Sequence, residues 1–241
     1  MSYIGKPYNP NPPRYNPNDV TTWQYFKPTI IAHDVGRSRD RSTAVIGGNS
    51  PVTPHLIGIG ELIELPQGLY GSPRANEVAE IDNGYDNNTL VVADFSNDPT
   101  YAEPLHKLFG PRLIGLHITR HGDGTEAVPR LVNGKAMLTY HVGRSYLFEL
   151  LHGLLDSEQV RLPKNEMMNR ACAQLHALEP EYRETGAVYH CPEGQHDDLA
   201  ISCAMLAWAS RHPHLDHWVR SVQASRRPAP RPPKINPRAW S

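Results

Sequence analysis

Thr29-Ile30-Ile31-Ala32-His33-Asp34 is an unbroken apolar run closed by an acid, and Thr89-Leu90-Val91-Val92-Ala93-Asp94 repeats the design. Short runs of this kind, rich in β-branched residues and lacking polar alternation, read as strands covered on both faces. Each should deliver its aspartate to the carboxyl edge of a sheet, where open α/β sheets place their ligands. Working outward, a polar loop from Val35 to Arg41 leads into two further β-rich runs, 42–48 and 55–65, parted by the turn Asn49-Ser50-Pro51. Three strands in quick succession predict an antiparallel meander. Helix and strand then alternate: a helix over 73–83, the strand 89–94, a helix over 98–108 with Asp98 as N-cap and Pro99 in its first turn, and a strand over 112–118. The class is therefore α/β, with a mixed sheet flanked by helices.

Two longer helices follow. In 144–156 the residues Leu147, Leu151, Leu154 and Leu155 share a face, as do Met168, Ala171, Cys172, Leu175 and Leu178 in 165–178. A short strand is expected at 186–190. The stretch from Asp197 to Ser210 is apolar nearly all round, which predicts a buried helix opened by two acids.

A chain of 241 residues suits one core with extensions, and 23 prolines gathered largely near the ends point the same way. The expected division is an extended Pro/Asn-rich arm over 1–28, a compact domain over 29–221 and a basic Pro-rich tail over 222–241. A net charge of −1 excludes no partner. The last stretch holds Arg226, Arg227, Arg231, Lys234 and Arg238 and no acid, so it reads either as an arm for phosphates or as a solvated tail. Cys172, Cys191 and Cys203 form no CxxC pair, which favours a reduced, cytoplasmic setting. No apolar run approaches the ~18–20 residues of a membrane span, and no apolar signal core opens the chain.

The acids carry the chemistry. If Asp34, Asp94 and the Asp197–Asp198 pair meet, several carboxylates share a small volume, and a hard divalent cation neutralises them best. Oxygen-only ligands favour Mg²⁺ or Mn²⁺. Two such ions activate a water and stabilise the leaving oxygen in phosphodiester cleavage. Each acid also has a plain structural reading, as a turn cap at a strand end or an N-cap at a helix start. Zinc at His190, Cys191 and His196 is a weaker reading without CxxC spacing. His33 should point to the sheet face opposite Asp34. The segment from Thr119 to Asn133, with Arg120, His121 and Arg130, reads either as the flank of a nucleic-acid groove or as a hairpin with solvated charges.

The order of these motifs resembles that of phage terminase large-subunit nuclease domains. The run 30–36 followed by Arg37-Ser38-Arg39-Asp40-Arg41-Ser42-Thr43-Ala44 resembles their first motif, 90–94 the middle acidic motif, and Gly194-Gln195-His196-Asp197-Asp198-Leu199-Ala200 the closing His-Asp-Asp motif. The likeness spans roughly residues 29–210. It implies an RNase H-like fold with a mixed five-stranded sheet, related to Holliday-junction resolvases, and metal-dependent endonucleolytic cleavage of double-stranded DNA. On it, Asp34, Asp94, Asp197 and Asp198 are catalytic metal ligands, Asp40 an auxiliary ligand and His196 a positioning group. Arg37, Arg39, Arg120, Arg226 and Arg227 are the expected nucleic-acid contacts. The sequence contains no GxxxxGK[ST] phosphate loop, so a packaging ATPase or phage assembly proteins would be separate partners, in a bacterial or phage-infected cell. The other functions left open are a structure-selective resolvase and a non-catalytic DNA-binding or assembly subunit.

Overall fold

A computed structural model describes residues 16, 20, 28–36, 41–85, 89–183 and 186–225. The expected N-terminal arm, with Asn16, Val20 and Pro28 excepted, the loop residues Arg37, Arg39 and Asp40, and the tail from residue 226 onward, with Arg226 and Arg227, lie outside the described residues.

The meander forms as its sequence suggests. Strands β1 (Thr29–Asp34), β2 (Thr43–Asn49) and β3 (Ile57–Glu64) pair antiparallel in succession. Helix α1 (Ser72–Asn83) then carries the chain back, so that β4 (Thr89–Asp94) lies parallel to β1. A helical turn at Pro99–Tyr101 leads into α2 (Ala102–Phe109), and β5 (Leu113–Thr119) adds parallel to β4. Asp98 makes no side-chain cap; its carboxylate accepts from the Thr100 hydroxyl at 2.6 Å, and Pro99 opens a 3-10 turn rather than the α-helix.

The expectation of five strands is too small. The order β3-β2-β1-β4-β5 is present, but β6 (Asp123–Val132), β7 (Lys135–Gly143) and the short β8 (Val160–Arg161) bring the sheet to eight, in the order β6-β7-β5-β4-β1-β2-β3-β8. The hairpin β6–β7 turns at Asn133 (φ 50°) and Gly134 (φ 73°), two successive left-handed residues of the kind a two-residue hairpin turn requires. It resolves the 119–133 segment as strand and hairpin. β7 hydrogen-bonds parallel to β5 and extends the sheet on that side. A separate two-stranded ribbon pairs β9 (Glu179–Arg183) with β10 (Gly186–His190).

Helices cover both faces. α3 (Arg144–Asp156), α4 (Glu166–Ala177), α5 (Asp198–Arg211) and α6 (Leu215–Ser225) share one side, where Leu147, Phe148, Leu199, Met205 and Trp208 pack on Ile30, Ala32, Leu90 and Val92. α1 and α2 close the other side over Ile31, Ile46, Val91 and Ala93. Every residue of α5 from Leu199 to Ser210 is buried, which accounts for its apolar sequence all round. Gly47 lets it approach: a Cβ there would lie 2.2 Å from the Gly58 carbonyl oxygen and 3.0 Å from Leu206 Cδ1. No helix among the described residues is long and apolar enough to cross a membrane.

Candidate functional site

Asp34 and Asp94 end neighbouring parallel strands. β1 and β4 run with His33 opposite Ala93, so the next residue on each is an aspartate at the same carboxyl edge. Side chains alternate along a strand. Asp34 therefore follows Ile30 and Ala32, and Asp94 follows Leu90 and Val92, onto the face covered by α5. Both acids are buried, at 7% and 3% exposure, an unusual state for a carboxylate.

The third acid is brought in by Thr43. This residue pairs with Asp34 across β1 and β2. Its hydroxyl donates to the Asp198 carbonyl at 2.9 Å and accepts from Ser202 Oγ at 2.7 Å. The first turn of α5 is thus fastened beside Asp34. Gln174 of α4 supplies the cap: its Oε1 accepts from the amides of Leu199 at 2.9 Å and Ala200 at 3.1 Å. Asp197 occupies the N-cap position but makes no cap bond; its carboxylate is ion-paired with Arg144. The plain reading of Asp197 as an N-cap is therefore replaced by an ion pair.

The electrostatics follow from this placement. Burial, then the nearby charges of Asp94 and Asp198, push the Asp34 carboxyl well above its ordinary range, with Arg144 opposing them. Asp94 is also raised by burial, although it accepts from the Ser96 hydroxyl at 2.5 Å and the Ser96 amide at 2.9 Å. Ser96 Oγ in turn accepts from the Ile118 amide at 2.6 Å, tying the β4 acid to the end of β5. Glu64, on the same sheet edge, is held by Arg41 and Arg170. Burial pushes its carboxyl up, but the bonds from Arg170 and Arg41 outweigh this and leave it lowered.

Arg144 was not singled out in the sequence. It stands in the first turn of α3, where a cation opposes the helix dipole, and no acid accompanies it there. That misplaced charge at a helix start is the signal that marks it. The guanidinium stacks on Phe148 at 5.2 Å, and it lies within electrostatic reach of Asp34, Asp94 and Asp198 as well as pairing with Asp197.

Other expected residues fall differently. His196 is exposed just before the acid pair, and Arg120 is exposed at the end of β5. His33 points to the opposite sheet face, where its ring meets Tyr101 edge-on at 5.7 Å. His190 pairs with Glu181 at 2.9 Å. Among the described residues no three His, Cys, Asp or Glu side chains are already gathered into a metal cage. In kind, however, Asp34, Asp94 and Asp198 suit a hard divalent cation: the donors are all oxygen, and Asp34 carries mutual repulsion that such a charge relieves.

A sheet ordered β3-β2-β1-β4-β5, with β2 reversed and a buried helix laid across the acid-ended central strands, defines an RNase H-like fold. Among solved structures the chain is similar to the large terminase nuclease from thermophilic phage G20c, with a TM-score of 0.53 and 18% identity over 76% of this chain and 82% of that one. A second neighbour is the large terminase nuclease domain of Thermus phage P74-26, with a TM-score of 0.48 and 15% identity over 74% of this chain and 77% of that one. No protein-family model and no curated protein matches the sequence.

Proposed function

We propose that the protein is a metal-dependent endonuclease acting on double-stranded DNA, with Asp34, Asp94 and Asp198 as the ligands of Mg²⁺ or Mn²⁺ in a two-metal site. The observation that carries this reading is the meeting of two buried strand-end aspartates with the first turn of α5. The fold shared with the terminase nuclease of phage G20c agrees with it. Bound cations would supply water activation and stabilisation of the leaving oxygen.

The protein's own residues have separate tasks. Ser96 orients Asp94 through two hydrogen bonds, and Thr43 and Gln174 hold α5 so that Asp198 faces Asp34. Asp197 acts as a positioning residue: it holds Arg144, whose guanidinium meets the phosphate being cut. The tandem aspartates thus divide their work, one toward the metal and one toward the arginine. Arg120, exposed beyond β5, contributes backbone charge without reading sequence.

A plasmid-nicking assay with Mg²⁺, Mn²⁺ or EDTA tests the proposal. Metal-dependent cleavage that Asp34→Asn and Asp198→Asn both abolish is expected. Cleavage indifferent to either substitution, or none with any metal, would overturn it.

A further inference from the structure

Behind the acid edge, on the face of β1 covered by α1 and α2, three side-chain polar atoms are buried without a hydrogen-bond partner: Arg74 Nη1, Tyr101 Oη and His33 Nε2. Their residues are only 4%, 1% and 0% exposed. They form one cluster, since the Arg74 guanidinium lies over the Tyr101 ring at 5.0 Å and His33 meets the same ring at 5.7 Å. The three come from the first turn of α1, the helical turn before α2, and the end of β1. Buried polar atoms in folded proteins are nearly always bonded, so three orphans in one place call for a missing partner.

The partner's chemistry can be read from what surrounds it. Arg74 Nε donates to the Leu69 carbonyl at 3.0 Å, and the Tyr70 ring lies 5.6 Å from the guanidinium. Among the described residues no carboxylate pairs with Arg74, and a desolvated, uncompensated charge is strongly unfavourable. The first turn of α1, which has no side-chain cap, adds its own positive end. The missing group should therefore be an anion. Nδ1 of His33 donates to the Thr43 carbonyl at 2.8 Å, which leaves Nε2 as a bare acceptor. Burial keeps the Tyr101 hydroxyl protonated and thus a donor. The cluster offers two donors, one acceptor and a positive charge with no carboxylate in contact; the Asp98 carboxylate, which also acts on Tyr101, is held by the Thr100 hydroxyl at 2.6 Å. An ionised carboxylate or sulfate has no proton for Nε2, whereas a water answers the hydrogen bonds but not the charge.

We propose that Arg74, Tyr101 and His33 form a binding pocket for a small protonated oxyanion of the hydrogen-phosphate class. Its charged oxygens accept from Arg74 and Tyr101, and its P–OH donates to His33. This pocket stands on atoms that the acid site does not use.

Thermal unfolding in EDTA with inorganic phosphate, at ionic strength held constant with chloride, tests it. Once phosphate exceeds its Kd, each tenfold rise should lift the midpoint of the full chain by about 3–6 °C, and sulfate should do far less. Tyr101→Phe removes one unbonded oxygen and keeps the ring, so it should fold and lose most of the shift. Asp198→Asn should keep the whole shift, which separates this pocket from the acid edge. A 5′-phosphorylated dinucleotide distinguishes the sources: a Tyr101-dependent shift from it assigns a nucleic-acid phosphate, and a shift from inorganic phosphate alone assigns a free ion. No phosphate effect beyond chloride, or an equal effect in Tyr101→Phe, would overturn the pocket.

Discussion

Asp34 bears two burdens at once, desolvation and the charges of Asp94 and Asp198. Asp34→Asn should therefore stabilise the metal-free protein, by about 0.5–2 kcal/mol, as relief of functional strain commonly does, while abolishing cleavage. Equilibrium unfolding in EDTA beside the nicking assay checks both halves. Arg144 acts on Asp34, Asp94 and Asp198, the acids that would hold the proposed cations. Arg144→Gln should tighten Mn²⁺ binding, read by titration, yet lower kcat by about 10²-fold, the scale seen when one preorganised charge is lost. Burial lowers His33 to about 4 from 6.5, so it stays neutral in the folded chain where the unfolded chain takes up a proton. Its contribution is intact above pH 6.5 and is lost as pH falls toward 4, at about 1.4 kcal/mol per unit. Its imidazole resonance should accordingly hold the neutral form through that window; protonation near pH 6.5 would contradict the burial argument. At this scale Asp34 and Asp94 were legible because each closes an apolar run. Arg144 was not, because its partners arrive from three distant segments.

At the scale of elements, α5 depends on a neighbour for its cap. Gln174→Ala strips the acceptor from the Leu199 and Ala200 amides and should cost about 1 kcal/mol. Activity should fall more than stability if Asp198 then drifts, which comparing kcat with the unfolding midpoint resolves. At the opposite edge of the sheet, Asp82 links α1 to the start of β4 through the Thr89 amide and hydroxyl and pairs with Arg112 at 2.8 Å. Asp82→Ala leaves that half-buried arginine without its carboxylate and should cost about 1.5–3 kcal/mol by denaturant titration. The strands and helices that bury both faces were readable from apolar runs and helical spacing. β6 was legible only as one of two readings of 119–133, the hairpin with solvated charges, since its run Asp-Gly-Thr-Glu-Ala-Val-Pro-Arg-Leu-Val is exposed along most of its length and carries no core signature. The Asn133-Gly134 pair was its one clear mark. β8, only two residues long, gives no periodicity to detect.

One sheet separates two clusters of buried polar side chains. The acids and Arg144 lie on the α5 face, and the Arg74–Tyr101–His33 cluster lies on the α1–α2 face. Adjacent residues of β1, His33 and Asp34, serve the two because strand alternation sends them to opposite sides. Among the described residues the sheet ends at β6, whose outer edge has no partner in the strand order. Pro129 within that strand lacks an amide to offer, which discourages edge-to-edge pairing with another chain.

The crossing of α5 over the central strands also sets a timetable for synthesis. Asp34 and Asp94 emerge from the ribosome well before the helix that carries Asp198, and the strands between them can pair while that helix is still unmade. A nascent chain halted short of α5 has its first two acids without the third, and lacks the buried helix that seals that side of the sheet. On the proposed function, competence to cut DNA would be withheld until α5 has been made, late in translation.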